Sequence, residues 1–417
     1  MQQLNIAILS YRSAQFGGGQ GVYVKDISYN LSQMGHKVDV ISGPPYPNLD
    51  SRINLIKLPG LNLFETFSFK DRLYKFFKKK NKTLNDCYEF ISVLFGGFPE
   101  LKTFGDRVNN FLIENNQYDI VIDNQSLSYG MLEIQKRFPL IEIIHHPITY
   151  DFKHELAASK KIKYKISRYR WYSFLKMQKK VAPKLKSIIS PSKSSKKGII
   201  EEFNCKEETV KIINNGLDTN EFTPIKEFKR MPFRLITTAS ADVPLKGLDY
   251  SLKSLEILKK EFPEIHLVVI GAPKKNGHTE RLIKKLRIKE SVTFKSNLTK
   301  KEIAEEYSKS SISIVSSLYE GFGYPVIEAM SCEIPLIATN VSSIPELVGE
   351  YATLIDSKNE KALANSIKTI LSDYDSFLEI AVRGREHIIK TFNWDKITKE
   401  YESIILKTIE NFKNADI

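Results

Sequence analysis

Cysteine is scarce in this chain. Its three examples, Cys87, Cys205 and Cys332, are scattered and odd in number, which excludes a disulfide framework and offers no zinc-ligand spacing. A reducing cytosol is the natural compartment. Long apolar runs are missing as well, for nothing approaches the roughly 18 residues of a membrane-spanning helix. The first apolar stretch, Leu4 to Leu9, is short and lacks a basic flank, so no signal peptide is expected. Short internal repeats and low-complexity tracts are absent too. What remains is an ordinary globular composition, 42% apolar and 27% charged over 417 residues. That length suits about two to three domains, each with its own core.

Acidic residues are in deficit, 49 against 62 Lys and Arg, and the resulting +13 is unevenly placed. Lys153 to Lys197 holds 15 basic residues and one acid, Glu155; Lys70 to Lys82 holds seven and one, Asp71. These two segments carry +20 between them, so the rest of the chain is net acidic by seven. Both lie in the N-terminal half. Such patches suit nucleic acid, an anionic membrane surface or a phosphorylated ligand.

The chain opens with a strand-like Leu4–Leu9 and a loop, Tyr11–Gln20, that holds Gly17-Gly18-Gly19. A helix follows, with Val24, Ile27, Leu31 and Met34 at three- and four-residue spacings and Gly35 at its end. Lys37–Ser42, Tyr118–Asp123, Leu140–His145 and Ser187–Ser190 read as further strands. After a linker rich in turn residues, Asn214–Pro224, the alternation restarts. Phe233–Thr238, His266–Ile270, Val292–Phe294, Ser311–Val315 and Pro335–Ala338 are its strands. Apolar runs alternating with amphipathic helical stretches predict an α/β protein, with two Rossmann-like parallel-sheet domains facing a central cleft. The expected boundaries are 1–213 and 214–392. A final helix, 393–417, carries an apolar stripe (Trp394, Ile397, Tyr401, Ile404, Ile405, Ile409, Phe412) expected to pack back toward the N-terminal domain.

Open α/β sheets bind ligands beyond the carboxyl ends of their strands. Among the loops there, Ser316–Glu328 is the most informative. It follows a strand and enters a helix, with Pro325 suited to the first helical turn. Gly321 and Gly323 permit close backbone approach, so N–H groups at the helix start can face an anion. A carboxylate in the loop, Glu320, can grip sugar hydroxyls, and one on the first helical turn, Glu328, can bind a ribose diol. A plain turn with a carboxylate at the positive helix end is the alternative for any one of these residues.

The string Glu320-Gly321-Phe322-Gly323-Tyr324-Pro325-Val326-Ile327-Glu328 resembles the paired-glutamate motif of retaining family 4 glycosyltransferases, which have the GT-B fold. Pro335–Thr339 and Ile344-Pro345-Glu346 resemble that family's continuation. The resemblance implies that Glu320 takes the donor sugar's hydroxyls and Glu328 the ribose. Gly321, Phe322, Gly323 and Tyr324 would line the donor, Phe322 and Gly323 through their backbones. Lys246, in Pro244-Leu245-Lys246-Gly247, falls where the family has its diphosphate-binding lysine. A fixed cation there would stabilise the charge that builds on a departing nucleoside diphosphate. The family usually adds an arginine a few residues earlier. Here that stretch is Ser240-Ala241-Asp242-Val243, with no cation, so either another basic residue, Arg12 or Lys274, reaches the phosphates or the clamp is weaker.

In the N-terminal half, Gly18, Gly19 and Gln20 resemble the family's glycine turn facing the diphosphate. Alone the turn is weak evidence, and Asp39 lies far enough on to keep a dinucleotide enzyme open on this loop. His145 resembles the family's histidine at the donor sugar or reacting centre, making Glu320, His145 and Lys246 the catalytic candidates. His146, Asp123, Asn124 and Gln125 are candidates for the acceptor side. Asp373-Tyr374-Asp375 has metal-site spacing but sits in a late helical region, where a solvated face is expected. Metal-independent transfer without a cofactor is therefore expected, beyond the nucleotide-sugar co-substrate.

Aromatic residues interleave with the basic ones in both patches. Lys75, Phe76, Phe77, Arg168, Arg170 and Trp171 are candidate membrane contacts. No nucleic-acid-binding module is legible. The resulting expectation is a cytoplasmic enzyme, peripheral on the inner membrane face, moving a hexose from UDP-glucose or a related donor to a lipid hydroxyl such as diacylglycerol. The alternative is a soluble enzyme acting on a saccharide or small-molecule acceptor.

Overall fold

In the computed structural model, residues 3–13, 19–66, 68–157 and 159–415 are described. The chain divides into two compact units. The first takes Met1–Pro191, Ser195–Ile213 and Thr398–Ile417; the second takes Ser192–Ser194 and Asn214–Ile397.

The first unit holds β1 (Asn5–Ser10), β2 (Lys37–Ser42), β3 (Asn54–Lys57), β4 (Ile120–Asn124), β5 (Leu140–Ile143), β6 (Ile188–Ser190) and β7 (Val210–Ile212). They form one parallel sheet in the order β3-β2-β1-β4-β5-β6-β7. The inner strands are buried on both faces, which is why they read as unbroken apolar runs rather than alternating ones. The helix Gly19–Gln33 buries Tyr23, Val24, Ile27 and Leu31 and ends before Gly35, whose φ of 94° favours glycine.

The second unit holds β8 (Met231–Thr238), β9 (His266–Ile270), β10 (Val292–Lys295), β11 (Ser310–Val315), β12 (Leu336–Thr339) and β13 (Thr353–Ile355), ordered β10-β9-β8-β11-β12-β13 and parallel throughout. Period-two alternation sends Leu235, Leu267, Val269, Ile312, Ile314 and Ile337 into one core and Ile236, Val268, Ile270, Val315, Leu336 and Ala338 into another. Both faces of the sheet are thus covered.

Three strands escaped the sequence reading: β3, β7 and β13. All are short edge strands, half-exposed, without the apolar run that marks an inner strand. The last helix runs Trp394–Ala415, and its residues from Thr398 onward belong to the first unit. Among the described residues, no helix is long and apolar enough to cross a membrane.

Candidate active site

In each sheet the strand order reverses at one crevice, between β8 and β11 in the second unit and between β1 and β4 in the first. Ligands of doubly wound sheets bind at such switch points.

Lys246 follows β8. It closes a 3-10 turn, Pro244–Lys246, and Gly247 behind it has a φ of 63°. A Cβ on Gly247 would lie 1.9 Å from the Ser316 carbonyl oxygen, so only glycine lets this turn pass beside the end of β11. That close approach brings the two loops together. Lys246 Nζ donates to both carboxylate oxygens of Glu320, at 2.8 and 3.0 Å. The cation and the carboxylate thus satisfy each other's charge.

Glu320 is held from four directions. Ser317 Oγ donates to Oε1 at 2.6 Å, and the Glu320 N–H donates to Ser342 Oγ at 2.8 Å. Ser343 Oγ donates to the carbonyls of Glu320 (2.9 Å) and Phe322. Phe322 is buried and packs edge-on to Tyr324 and Phe392. The Gly321 carbonyl accepts from Ser192 Oγ at 2.7 Å. Gly323, with φ 118°, caps the helix Tyr324–Ser331, and Pro325 occupies its first turn. Ser317, Ser342 and Ser343 were missed by the sequence reading. Paired serines after adjacent strands were the available signal, but their roles depend on the β12 loop folding against the β11 loop.

The sequence places Glu328 on the first turn of that helix; it is the fifth helical residue, one turn further in, because the helix starts at Tyr324. Its enclosed site raises the carboxyl pKa to about 7, against the pull of Lys300 and Lys246. Near neutral pH it is therefore half protonated, and only the ionised form accepts hydrogen bonds from both hydroxyls of a diol. Donor KM is expected to fall as pH rises from about 6 to 8. In Glu328→Gln, steady-state kinetics should show that slope gone; a slope kept in the variant would assign the titration elsewhere.

In the first unit, Gly19 opens its helix and Gln20 bonds the Tyr11 hydroxyl. Gly18 lies outside the described residues. His145 follows β5. Its Nε2 meets Asn124 Oδ1 at 2.8 Å, its N–H donates to Gln125 Oε1 at 2.8 Å, and its ring packs edge-on to Tyr23 at 4.8 Å. Tyr23 in turn donates to Tyr401 at 2.8 Å. Enclosure, with His146 beside it, pushes the His145 pKa down to about 3, so the ring is neutral at pH 7. His146 pairs with Asp151 at 2.7 Å. Asp123, Asn124 and Gln125 are fully buried. Asn124 and Gln125 position the two histidines. Asp123 accepts from the N–H and hydroxyl of Ser126 and faces Glu142 across the β4–β5 register. Burial raises both carboxyls, and repulsion from Asp123 adds to the rise at Glu142.

Both basic patches lie almost wholly in this unit, and Trp171 of the second packs on aromatic residues outside them. Phe98 stacks on Trp171 at 5.0 Å, and Phe64 lies 5.5 Å from Trp171. Arg12 is stacked on Phe64 at 3.8 Å and paired with Glu65 and Glu100, so its charge is already answered. Phe76 is stacked against Phe90, Lys75 bonds the Asn62 carbonyl and Arg168 pairs with Glu155, whereas Phe77 (68% exposed) and Arg170 face outward. A stripe the sequence reading did not see lies on the helix Leu84–Leu94 and the residue after it. Leu84 (90% exposed), Tyr88, Ile91 and Phe95 (69%) share one helical face that no core covers.

Comparison with known proteins covers nearly the whole chain. Residues 220–387 match the family described as "Glycosyl transferases group 1" and residues 17–221 match "Glycosyltransferase Family 4". The "MMP alpha-(1->4)-mannosyltransferase" of Mycolicibacterium hassiacum is 36% identical over 413 residues, which is 97% of this chain and 98% of the relative. Among solved structures, the sucrose-phosphate synthase of Thermosynechococcus elongatus superposes with a TM-score of 0.76 at 20% identity, covering 98% of this chain and all of that one. HepE of Anabaena, solved with UDP and glucose, gives 0.70 at 16% identity, covering 97% and 99%. At such identities the solved structures speak to the fold alone.

Proposed function

Because the chain belongs to the family 4 glycosyltransferases of the GT-B fold, we propose that it is a retaining, metal-independent hexosyltransferase whose acceptor is a saccharide hydroxyl. The observation that carries the reading is the Lys246–Glu320 pair, set where the second sheet reverses its order. A nucleotide sugar would separate that pair. Glu320 would then take sugar hydroxyls, Lys246 the diphosphate and Glu328 the ribose. In the reaction the bond from sugar C1 to the diphosphate breaks and a bond from C1 to the acceptor oxygen forms on the same face. The leaving phosphate takes the acceptor's proton. Lys246 and the N-terminal turn of Tyr324–Ser331 answer the charge that grows on the diphosphate. His145 is proposed to contact the donor sugar or the reacting centre as a neutral hydrogen-bonding group.

A mannosyl donor is favoured over the UDP-glucose expected from sequence, because the 36% identical relative is named a mannosyltransferase. The α-(1→4) bond in that name joins one sugar to another, which supports a saccharide acceptor. Incubation with GDP-mannose, UDP-glucose and other nucleotide sugars, against mannosides and diacylglycerol, would be read by product mass. Hexosylated mannoside supports the reading, and hexosylated lipid alone would overturn the acceptor assignment.

The specific observation favouring a lipid acceptor is the uncovered apolar face of Leu84, Tyr88, Ile91 and Phe95, near in sequence to the exposed cations Lys80 and Lys82. Burying such side chains in a headgroup layer is worth about 1.5–3 kcal/mol each at most. Vesicles of phosphatidylglycerol should sediment the protein at low salt and release it at high salt. Replacing Leu84, Ile91 and Phe95 with serine should abolish the binding; sedimentation indifferent to those changes would exclude this face as the contact.

A further inference from the structure

The second unit lacks the cation that its family places before Lys246, and its loops show what stands there instead. Asp242 occupies that stretch with a φ of 62°, a left-handed conformation that side-chain-bearing residues adopt at a cost. Its carboxylate reaches sideways into the loop after β9. Oδ2 accepts from the Lys274 N–H at 2.8 Å and Oδ1 from the Thr279 N–H at 2.8 Å, while the Asp242 N–H donates to Thr279 Oγ1 at 3.2 Å. Burial works to raise this carboxyl, but the N–H groups outweigh it and hold it below the usual range.

The two loops leave the sheet side by side, since Thr238 and Ile270 are register partners at the ends of β8 and β9. Glycine is required twice for their contact. A Cβ on Gly277 would lie 2.8 Å from both Asp242 carboxylate oxygens, and one on Gly271 would lie 2.3 Å from the Ala239 carbonyl oxygen. The tie therefore holds the Lys274 loop, which leaves β9, beside the loop that leaves β8 and leads to Lys246; neighbouring strands of a sheet lie roughly 4.8 Å apart. Lys274 is exposed and has no acidic partner among the described residues. By contrast Lys300 is paired with Glu221 and Lys295 with Glu306.

We propose that Lys274 is the second cation for the nucleoside diphosphate, and that Asp242 is the positioning residue that holds its loop in place. A carboxylate beside the position of the missing arginine holds the next loop and brings its lysine forward. The inference rests on the donor-binding reading above. It gives the diphosphate two cations from the loops that follow adjacent strands of one sheet.

The test is donor kinetics with the full chain. In Lys274→Ala, donor KM should rise by about ten- to a hundred-fold, the loss expected of one charge-assisted contact, with acceptor KM unchanged. Inhibition by the free nucleoside diphosphate should weaken in parallel and lose part of its salt dependence. Asp242→Ala should raise donor KM similarly and add little when combined with Lys274→Ala, and Asp242→Asn should fall between. Lys275→Ala should resemble wild type. A Lys274→Ala donor KM within about two-fold of wild type, or the effect appearing at Lys275 instead, would overturn the proposal. Lys246→Ala in the same assay separates the two levels, because full activity there would sink the donor site itself.

Discussion

Lys246→Ala is expected to lower kcat by about 10²- to 10³-fold, with a smaller change in donor KM. The asymmetry follows from where the charge develops. Both the bound donor and the departing diphosphate are negative, but the second is more so, and Lys246 is worth most when the bond is nearly broken. Glu320→Ala should be at least as damaging. It removes the sugar-facing carboxylate and abandons the hydroxyl of Ser317, which now donates to it. Neither change should unfold the protein. Lys246 is over a quarter exposed, so its pairing contributes only about 1 kcal/mol to stability. Steady-state kinetics beside thermal unfolding checks both halves: turnover near wild type in Lys246→Ala refutes the site, and a collapsed Tm makes the loss a folding effect.

Gly247→Ala is expected to be the most destabilising single methyl in the second unit's site. Two costs coincide. A side chain at φ 63° costs about 1–2 kcal/mol. The new Cβ would also sit 1.9 Å from the Ser316 carbonyl oxygen, a backbone atom at the end of β11 that cannot swing aside. Forcing that contact costs a further 1–3 kcal/mol or so. Gly35→Ala is the control. It too has positive φ, 94°, but nothing within 4 Å, so it should show the conformational cost alone. Equal losses in the two variants would mean that the close approach is not what Gly247 supplies. Transfer should also fall in Gly247→Ala, because Lys246 precedes it and Ser316 opens the Glu320 loop.

The inner strands were legible because a parallel sheet covered on both faces turns them into apolar runs, as in Ile6–Leu9 and Leu267–Ile270. The edge strands Asn54–Lys57, Val210–Ile212 and Thr353–Ile355 have no such burial and so no such signal. At the site, Glu320, Glu328 and Lys246 announced themselves through a motif on one loop and a lysine before a glycine. Their restraints did not. Ser342 and Ser343 act on Glu320 across a strand boundary, and Asp242 acts through the next loop, so neither role is encoded by local spacing. Asp123 gave the opposite lesson. A carboxylate at a strand end reads as ligand-facing, yet it is buried beside Glu142, and that pairing depends on a β4–β5 register no local pattern reveals. The apolar stripe of Leu84–Leu94 went unread altogether, because which way such a face points is set by tertiary packing and not by its helical period.

The reaction proposed is same-face hexosyl transfer from a nucleotide sugar, with side chains rather than a metal answering the charge. The most direct measurement is NMR of the product's anomeric centre, formed from an α-linked nucleotide sugar and a saccharide acceptor with a strong chelator present. An α-configured product, formed at an undiminished rate and lost in Glu320→Ala, is the predicted result. A β-configured product, or transfer that stops when divalent ions are removed, would contradict it.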